Sequence, residues 1–451
     1  MSANKTRPGN GDKTAAMIDI ARRAVATAKK SGAQQAAANG YRGRDVQLNW
    51  RDGKLEKVSE AVSRSLEMQL YVDGRYAALS TSDLRPDAVD KFIAEAVALT
   101  RTLAADVHRG LPEPDLYAGQ STADLEIDDA RHGVLTPDER LKVCKAVEAA
   151  ARSVDGNERI LSVDARWNDT ALDLVRVASN GFEGTRRATY FESSADVAVQ
   201  DPDGRRPDYG VWTAARHLDA IQAAEEVGRR GAVGALARVG AKKGKSAVVP
   251  VVVDNRVAGR LVNYLLAATS GRAVQQKQSF LDGKLNQVVA SPRLSLVDDP
   301  LLKRGLASQR FDGEGMAART RTLFEDGTLR SYFIDCYYGR KLKMAPTTAR
   351  WSNLVWRLGE RDQAALVGDV KDGIFISSFI GGNSNTTTGD FSLGFQGYAI
   401  RGGKMAEPLA EMNLSGNHLE LWKHLAAVGN DPFIASSMRT PTLDGVQVAG
   451  T

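Results

Sequence analysis

A chain of 451 residues with 43% hydrophobic and 25% charged side chains is too long for one ordinary core, and its balance is that of a soluble globular protein of two or three domains. Its formal net charge, 60 − 55 = +5, is small for this length, and no Lys/Arg stripe interleaved with aromatics marks a nucleic-acid surface. Two cysteines, Cys144 and Cys336, exclude a disulfide framework or a zinc ribbon and fit a reducing cytoplasm.

Residues 1–13 are polar and glycine-containing, lack the apolar core of a signal peptide, and read as a disordered tail. No run approaches the roughly 18 apolar residues of a membrane span. Residues 14–31 carry Met17, Ile20, Ala21, Ala24 and Ala28 on one helical face, with Gly32 as the stop. From 46 to 82 short alternating runs are punctuated by Asp52-Gly53 and Asp73-Gly74, which signal hairpins. A second helix is expected from Pro86, with Val89, Ile93 and Val97 in its stripe. A third begins at Thr136-Pro137-Asp138-Glu139, where Thr caps, Pro opens the first turn and Glu completes a capping box. Cys144 lies in that helix beside Leu141 and Val147 and reads as a small core residue.

Strands return over 161–199 around Asn180-Gly181, followed by a turn at Asp203-Gly204 and a helix carrying Ile221, Ala224 and Val227. The glycine- and lysine-rich stretch 239–247 is the expected domain boundary. The first half is therefore α+β with mainly antiparallel strands in two layers, over residues 14–239. Residues 240–451 read as a predominantly β domain. It opens with a buried strand and a helix carrying Leu261, Leu265 and Ala268, ended by Gly271. A late helix after Ser415 carries Leu421, Leu425 and Val428 and closes at Gly429.

The stretch Gly381–Gly403, "GGNSNTTTGDFSLGFQGYAIRGG", holds seven glycines among 23 residues and asks what so permissive a backbone serves. Phosphate binding fails: Gly402-Gly403-Lys404 is followed by Met405, with the wrong spacing for a Walker loop, and Gly394 and Gly397 sit inside a strand pattern. Phe391, Leu393 and Phe395 share one parity while Tyr398 and Ile400 share the other, which predicts a β-bulge across Gln396-Gly397. Arg401-Gly402-Gly403-Lys404 is then a hairpin turn. Two readings of "GGNSN" stay open: glycines shaping a bent sheet, or small residues that let another backbone approach.

Catalytic constellations are missing. Of five histidines, only His418 and His424 are close, and six residues at about 100° each leave them roughly 120° apart on a helix, too far around to share a metal. Helix capping or a surface role suits them better. No HExxH occurs, neither Ser392 nor Ser415 lies in a nucleophile elbow, Cys336 has an apolar strand-like context, and Asp298-Asp299 precede Pro300 in a turn.

The run "GGNSNTTTGDFSLGFQGYAIRGGKMAEPL", followed by "LSGN" and "AVGND", resembles the carboxyl-terminal hallmark of the TldD/PmbA family. The segments "VVVDNRVAGRLVNYLLAATSGRAVQQKQSFLDGKL" and "DGKLEKVSEAVSRSLEMQLYVDGRYAALSTSDL" are similar to the family's central and amino-terminal parts. The resemblance implies an α+β amino-terminal domain followed by a β-rich, barrel-like one. In the TldD type, a central-helix HExxxH motif and a later cysteine hold zinc. Matching the segments places that motif at Val262, Asn263 and Ala267, and the cysteine at Ser436 or Ser437, none of which can do its work. No histidine lies between His217 and His418.

The chain thus resembles the PmbA, or TldE, type. That resemblance implies no catalytic or metal-ligating residue and no cofactor in this chain, with zinc in a TldD-type partner. It implies a cytoplasmic heterodimer, a metallopeptidase acting on unfolded peptides, with links to peptide-antibiotic maturation and antitoxin turnover. Gly382, Asn383, Ser384 and Asn385 are the expected peptide-path residues. The alternative is a stand-alone peptide-binding or regulatory protein of the DNA gyrase modulator type, acting as a homodimer.

Overall fold

The computed structural model describes residues 10–433 and 437–451. Helix α1 (Asn10–Lys30) starts four residues before the expected position, and residues 1–9 of the predicted tail lie outside the described residues. Its predicted face is buried at Met17, Ala21, Ala24 and Ala28. Strands β1 (Gln35–Arg51), β2 (Lys54–Val72) and β3 (Arg75–Thr81) turn at Asp52-Gly53 and Asp73-Gly74, the expected hairpins. Helices α2 (Pro86–Thr100) and α3 (Pro137–Ala151) follow. The α3 capping box is formed: the Glu139 amide donates to Thr136 Oγ1 at 3.3 Å and the Thr136 amide to Glu139 Oε2 at 2.7 Å. Cys144 is fully buried within α3, and burial pushes its thiol up to about 12, far from a reactive thiolate.

Strands β4 (Ile160–Ala178), β5 (Glu183–Val199) and β6 (Asp208–Ala215), with helix α4 (Ala224–Leu236), complete the first layer pair. The six strands form one antiparallel sheet in the order β3-β2-β1-β4-β5-β6, so β6 is an edge. Helices α1 and α2 cover one end of it around Ala36, Leu66 and Ile93, and α3 and α4 cover the other around Trp167, Phe191 and Val227.

The carboxyl-terminal half begins with β7 (Ala247–Val253), α5 (Asn255–Ala267) and α6 (Gly271–Gln275). Gly271 opens α6 rather than ending the preceding helix, which closes at Ala267, four residues earlier; Ser270 caps α6 by accepting from the Ala273 amide. A small sheet of β8 (Leu296–Asp298), β9 (Arg321–Glu325), β10 (Thr328–Leu329) and β11 (Leu354–Trp356) packs beneath α5, with α7 (Cys336–Leu342) inserted between β10 and β11. Cys336 therefore starts a helix and not a strand. Asp335 caps it by accepting from the Tyr338 amide, and burial followed by the Glu314 carboxylate pushes the thiol upward.

After α8 (Gln363–Gly368) come β12 (Asp372–Phe379), β13 (Asn383–Ser384), β14 (Asp390–Arg401), β15 (Lys404–Asn417), α9 (His418–Lys423), β16 (Leu425–Val428) and β17 (Pro441–Ala449). Strands β12-β7-β17-β15-β14 pair in turn, and β14 pairs back to β12, closing a five-strand barrel. The fold is the expected α+β sheet layer followed by a β-rich barrel.

Two expectations fail here. The single late helix is a short helix, His418–Lys423, followed by a strand, Leu425–Val428, because β17 offers that strand a partner. One pairing irregularity falls at Gln396, as expected, and a second at Ala399, but the extra residues belong to the neighbours: Ser377 on β12, and on β15 one of Ala410 and Glu411, where Glu411 has φ 55°, and one of Ala406 and Glu407. Strand β14 itself alternates unbroken, with Phe391, Leu393, Phe395 and Ala399 facing the barrel interior. Tyr398 and Ile400 face outward, under Val367 and Val370 beside α8.

The two halves meet along residues 301–345. Arg340 donates to the carbonyls of His108, Gly110 and Leu111, while Lys303 and Arg304 hold Glu126. We propose that the chain divides into folding units 14–239 and 240–451, because β7 begins at Ala247 and the lysines before it are exposed. Limited trypsin digestion should then cut first at Lys242, Lys243 or Lys245; an early cut inside either unit would argue for another division.

Candidate functional site

Helix α5 has two faces. Ala258, Leu261, Val262, Leu265 and Leu266 are buried against the barrel and the small sheet, each of the larger ones contributing about 1.5–3 kcal/mol of burial. Asp254 caps its first turn by accepting from the Arg256 amide at 2.9 Å. Arg256, Gly259, Arg260 and Asn263, spaced i, i+3, i+4 and i+7, line the opposite side.

That side forms one wall of a cavity of about 720 Å³. Edge strand β6 supplies another wall through Trp212, Ala214 and Ala215, and the segments at 302–307 and 351–354 close it, with Ser437 and Met438 at the rim. Trp212 is 39% exposed and stands edge-on to Phe433 at 5.1 Å.

Among the described residues, five cations line the cavity and no carboxylate does: Arg216, Arg256, Arg260, Lys303 and Arg304. Three have carboxylate partners outside it. Arg256 is paired to Asp254, Lys303 to Glu126, and Arg304 to Glu126 and Asp219. Arg216 donates to the carbonyls of Thr189, Gly305 and Leu306, and burial, followed by repulsion from Arg186, lowers its pKa to about 10. Arg260 donates through Nη2 to the carbonyls of Gly381 and Gly382 at 3.2 and 3.4 Å. Neither Arg216 nor Arg260 has a carboxylate partner among the described residues.

The residues matched to a zinc motif lie on α5. Val262 is 1% exposed and points into the core, Asn263 is exposed in the cavity wall, and Ala267 is half-buried. Ser436 lies outside the described residues, and Ser437 borders the cavity. These side chains offer zinc no imidazole, thiolate or carboxylate, and the guanidiniums beside them repel a dication, so the donor set does not fit the metal. Among the described residues no group of three or more His, Cys, Asp or Glu is placed to hold one.

The loop residues are gathered beside β14, where Asn383 and Ser384 pair with Ser392 and Phe391, and not in the cavity. Gly382 has φ 100°, and a Cβ there would meet the Ser392 carbonyl oxygen at 2.0 Å, so only glycine lets this segment lie against β14. Asn383 is exposed, and the Asn385 side chain accepts from the Thr387 amide at 2.9 Å. Ser384 Oγ lies 2.9 Å from Nε2 of His418.

His418 corrects the expected surface role. It is fully buried, stacked on Phe280 at 5.6 Å and 11°, and flanked by Phe391 and Tyr264. Burial lowers its pKa to about 4, so it is a neutral wedge rather than a general base poised near pH 7, and its Nδ1 has no orienting partner. No periodicity revealed this pair, because Ser384 and His418 meet only across the β13–β14–β15 ladder.

Sequence profiles of the PmbA/TldA metallopeptidases match in three parts: domain 1 over residues 37–100, the central domain over 132–239 and the carboxyl-terminal domain over 246–450. The chain belongs to the PmbA/TldD family. Among PmbA/TldD relatives, it is 26% identical over 415 residues to metalloprotease PmbA of Escherichia coli O157:H7, covering 90% of this chain and 89% of that one. The crystal structure of a candidate modulator of DNA gyrase from Bacteroides thetaiotaomicron superposes with a TM-score of 0.93 at 34% identity, covering 98% of this chain and all of the other. TldE from Thermococcus kodakarensis shares the fold, with a TM-score of 0.86 at 18% identity and coverage of 96% and 100%. No described helix is long and apolar enough to cross a membrane.

The buried His418 generates a pH dependence. Its folded pKa, about 4, lies below the unfolded value near 6.5, so the unfolded chain takes up the proton first as pH falls. The stabilisation is whole above about pH 6.5 and is lost as pH falls toward 4. Denaturant titrations should show a loss of about 2–3 kcal/mol from this group between pH 7 and 4.5. His418→Gln, which cannot take up the proton, should show a correspondingly shallower loss over the same range.

Proposed function

We propose that this chain is the metal-free subunit of a two-subunit zinc peptidase of the PmbA/TldD family, acting in the cytoplasm on unfolded peptides. A TldD-type partner carrying HExxxH would supply the zinc and the chemistry of hydrolysis. What carries the reading is the exposed face of α5: where a zinc-binding subunit needs ligands, this chain presents Arg256, Gly259, Arg260 and Asn263. The cavity beside an open sheet edge suits an extended peptide, which pairs its backbone with a strand lacking an outer neighbour. Gly382, Asn383, Ser384 and Asn385 would border that path, since Arg260 joins the cavity wall to the Gly381 and Gly382 carbonyls.

A second reading has one observation behind it: the Bacteroides thetaiotaomicron neighbour is named as a candidate modulator of DNA gyrase. On that reading the chain binds peptides or regulatory proteins as a homodimer, with no peptidase partner.

Zinc analysis paired with a peptidase assay separates the two, on the chain alone and after co-purification with the TldD-type protein of its organism. The expected result is no zinc and no cleavage alone, with cleavage and one zinc per heterodimer when paired. Stoichiometric zinc or cleavage by the isolated chain overturns the first reading, and failure to associate moves the weight to the second. In the active complex, Asn383→Trp should lower cleavage several-fold; unchanged cleavage would place the peptide path elsewhere.

A further inference from the structure

The cationic imbalance of the cavity has a chemical meaning that the zinc-less face of α5 does not exhaust. A buried or half-buried charge is normally neutralised by a partner, because desolvation costs more than carbonyl hydrogen bonds return. Arg256, Lys303 and Arg304 obey this rule through Asp254, Glu126 and Asp219. Arg216 and Arg260 do not, and both face the same space. Arg260 spends one nitrogen, Nη2, on two carbonyls, and its Nε and Nη1 have no acceptor among the described residues. A guanidinium with that much donor capacity presents the fork that matches a carboxylate.

The surroundings narrow the ligand to a peptide. Strand β6 is the edge of the six-stranded sheet, and among the described residues no strand pairs along its outer side. Trp212 on that strand and Trp351 opposite give the space two aromatic walls, which suit side chains of an extended segment. A small inorganic anion would use the cations and leave the strand edge and both tryptophans idle.

We infer that this cavity is a carboxylate-recognising peptide subsite: an extended peptide adds to the edge of β6 and places a carboxylate, at its carboxyl terminus or on an acidic side chain, against Arg260 within the field of Arg216. The inference rests on the peptide-binding reading above and names the class of peptide that this subunit selects. The subsite would hold the anionic part of a substrate, or a product with its newly formed terminal carboxylate, without taking part in bond cleavage.

The test is fluorescence-anisotropy binding of a labelled unstructured peptide to the full chain, and again to its complex with the TldD-type partner. Four versions separate the sources of the carboxylate: free or amidated carboxyl terminus, each with Asp/Glu or Asn/Gln side chains. At least one carboxylate-bearing version should bind about tenfold or more tightly than the fully neutral one, the range expected of a charge-assisted hydrogen bond. Preference for the free terminus assigns the carboxylate to the chain end; preference for Asp/Glu assigns it to a side chain. Arg260→Gln should remove the preference while leaving the weaker neutral-peptide binding in place. Equal binding of all four versions overturns the inference while sparing the peptide-binding reading, and so does a preference that survives Arg260→Gln. Binding of none overturns both. The four-peptide comparison on the unmodified protein decides the matter even if the variant proves unstable.

Discussion

The architecture depends on one close approach. At Gly397 a Cβ would stand 1.9 Å from the carbonyl oxygen of Phe375, so the strands β12 and β14 can meet there only because glycine has none. That contact turns an open sheet into a closed barrel. It also sets the barrel rim, where the Asp254 amide donates to the Ile376 carbonyl at 3.0 Å and launches α5. With β7 parallel to β12 and α5 leaving its end, the helix is forced to lie across the mouth rather than away from it. The glycines in this part of the chain therefore shape the wall that carries the candidate functional surface.

Helix α5 then divides its residues between two demands. Its apolar face buys position: Leu261, Leu265 and Leu266 are buried among Phe324, Trp422 and other large side chains, in a core dense enough to fix the helix to within a fraction of a side chain. Its other face is thereby held rigidly in front of β6, which belongs to the other half of the molecule. The halves are kept in register by hydrogen bonds from long cations to backbone carbonyls, Arg340 to three of them and Arg216 to two more, those of Gly305 and Leu306. Such bonds fix geometry well because a planar guanidinium satisfies several carbonyls at once.

Local chemistry made much of this legible in the amino-acid sequence. Asp52-Gly53, Asp73-Gly74 and Asn180-Gly181 marked turns between long paired strands, and Thr136 to Glu139 marked a helix start, because each of these signals acts within a few residues. The errors arose where distant partners decide. Leu421, Leu425 and Val428 have helical spacing, yet Leu425–Val428 pair with β17 and leave the helix. Tyr398 and Ile400 suggested a parity switch because one buried face was assumed, whereas both faces of β14 are covered at that end. The site was less legible still. Ser384 stands out in the sequence only for its small size, whereas its histidine partner lies 34 positions away and the carbonyl acceptors of Arg260 lie more than a hundred away. A lone arginine on a helix gives no sign that it lacks a counter-charge.

On the proposed reading, the residues on the exposed face of α5 would explain how one fold serves two kinds of subunit. At an effective dielectric near 20, a dication about 5 Å from a guanidinium would be opposed by roughly 7 kcal/mol, several times the net worth of an ordinary hydrogen bond. On the proposed reading, ligands for zinc and unneutralised guanidiniums are therefore alternatives on one helix face, and a chain that adopts the cations would forgo the metal. What survives the exchange is the attraction for anions, since fixed guanidiniums and a bound metal both favour negative oxygen. On the proposed reading, the cavity of this chain keeps the electrostatic sign of a metal-bearing cavity while lacking any group able to activate water. Such a subunit can hold and orient a peptide beside its partner's chemistry, and its residues at 256, 260 and 263 need satisfy only that geometric task.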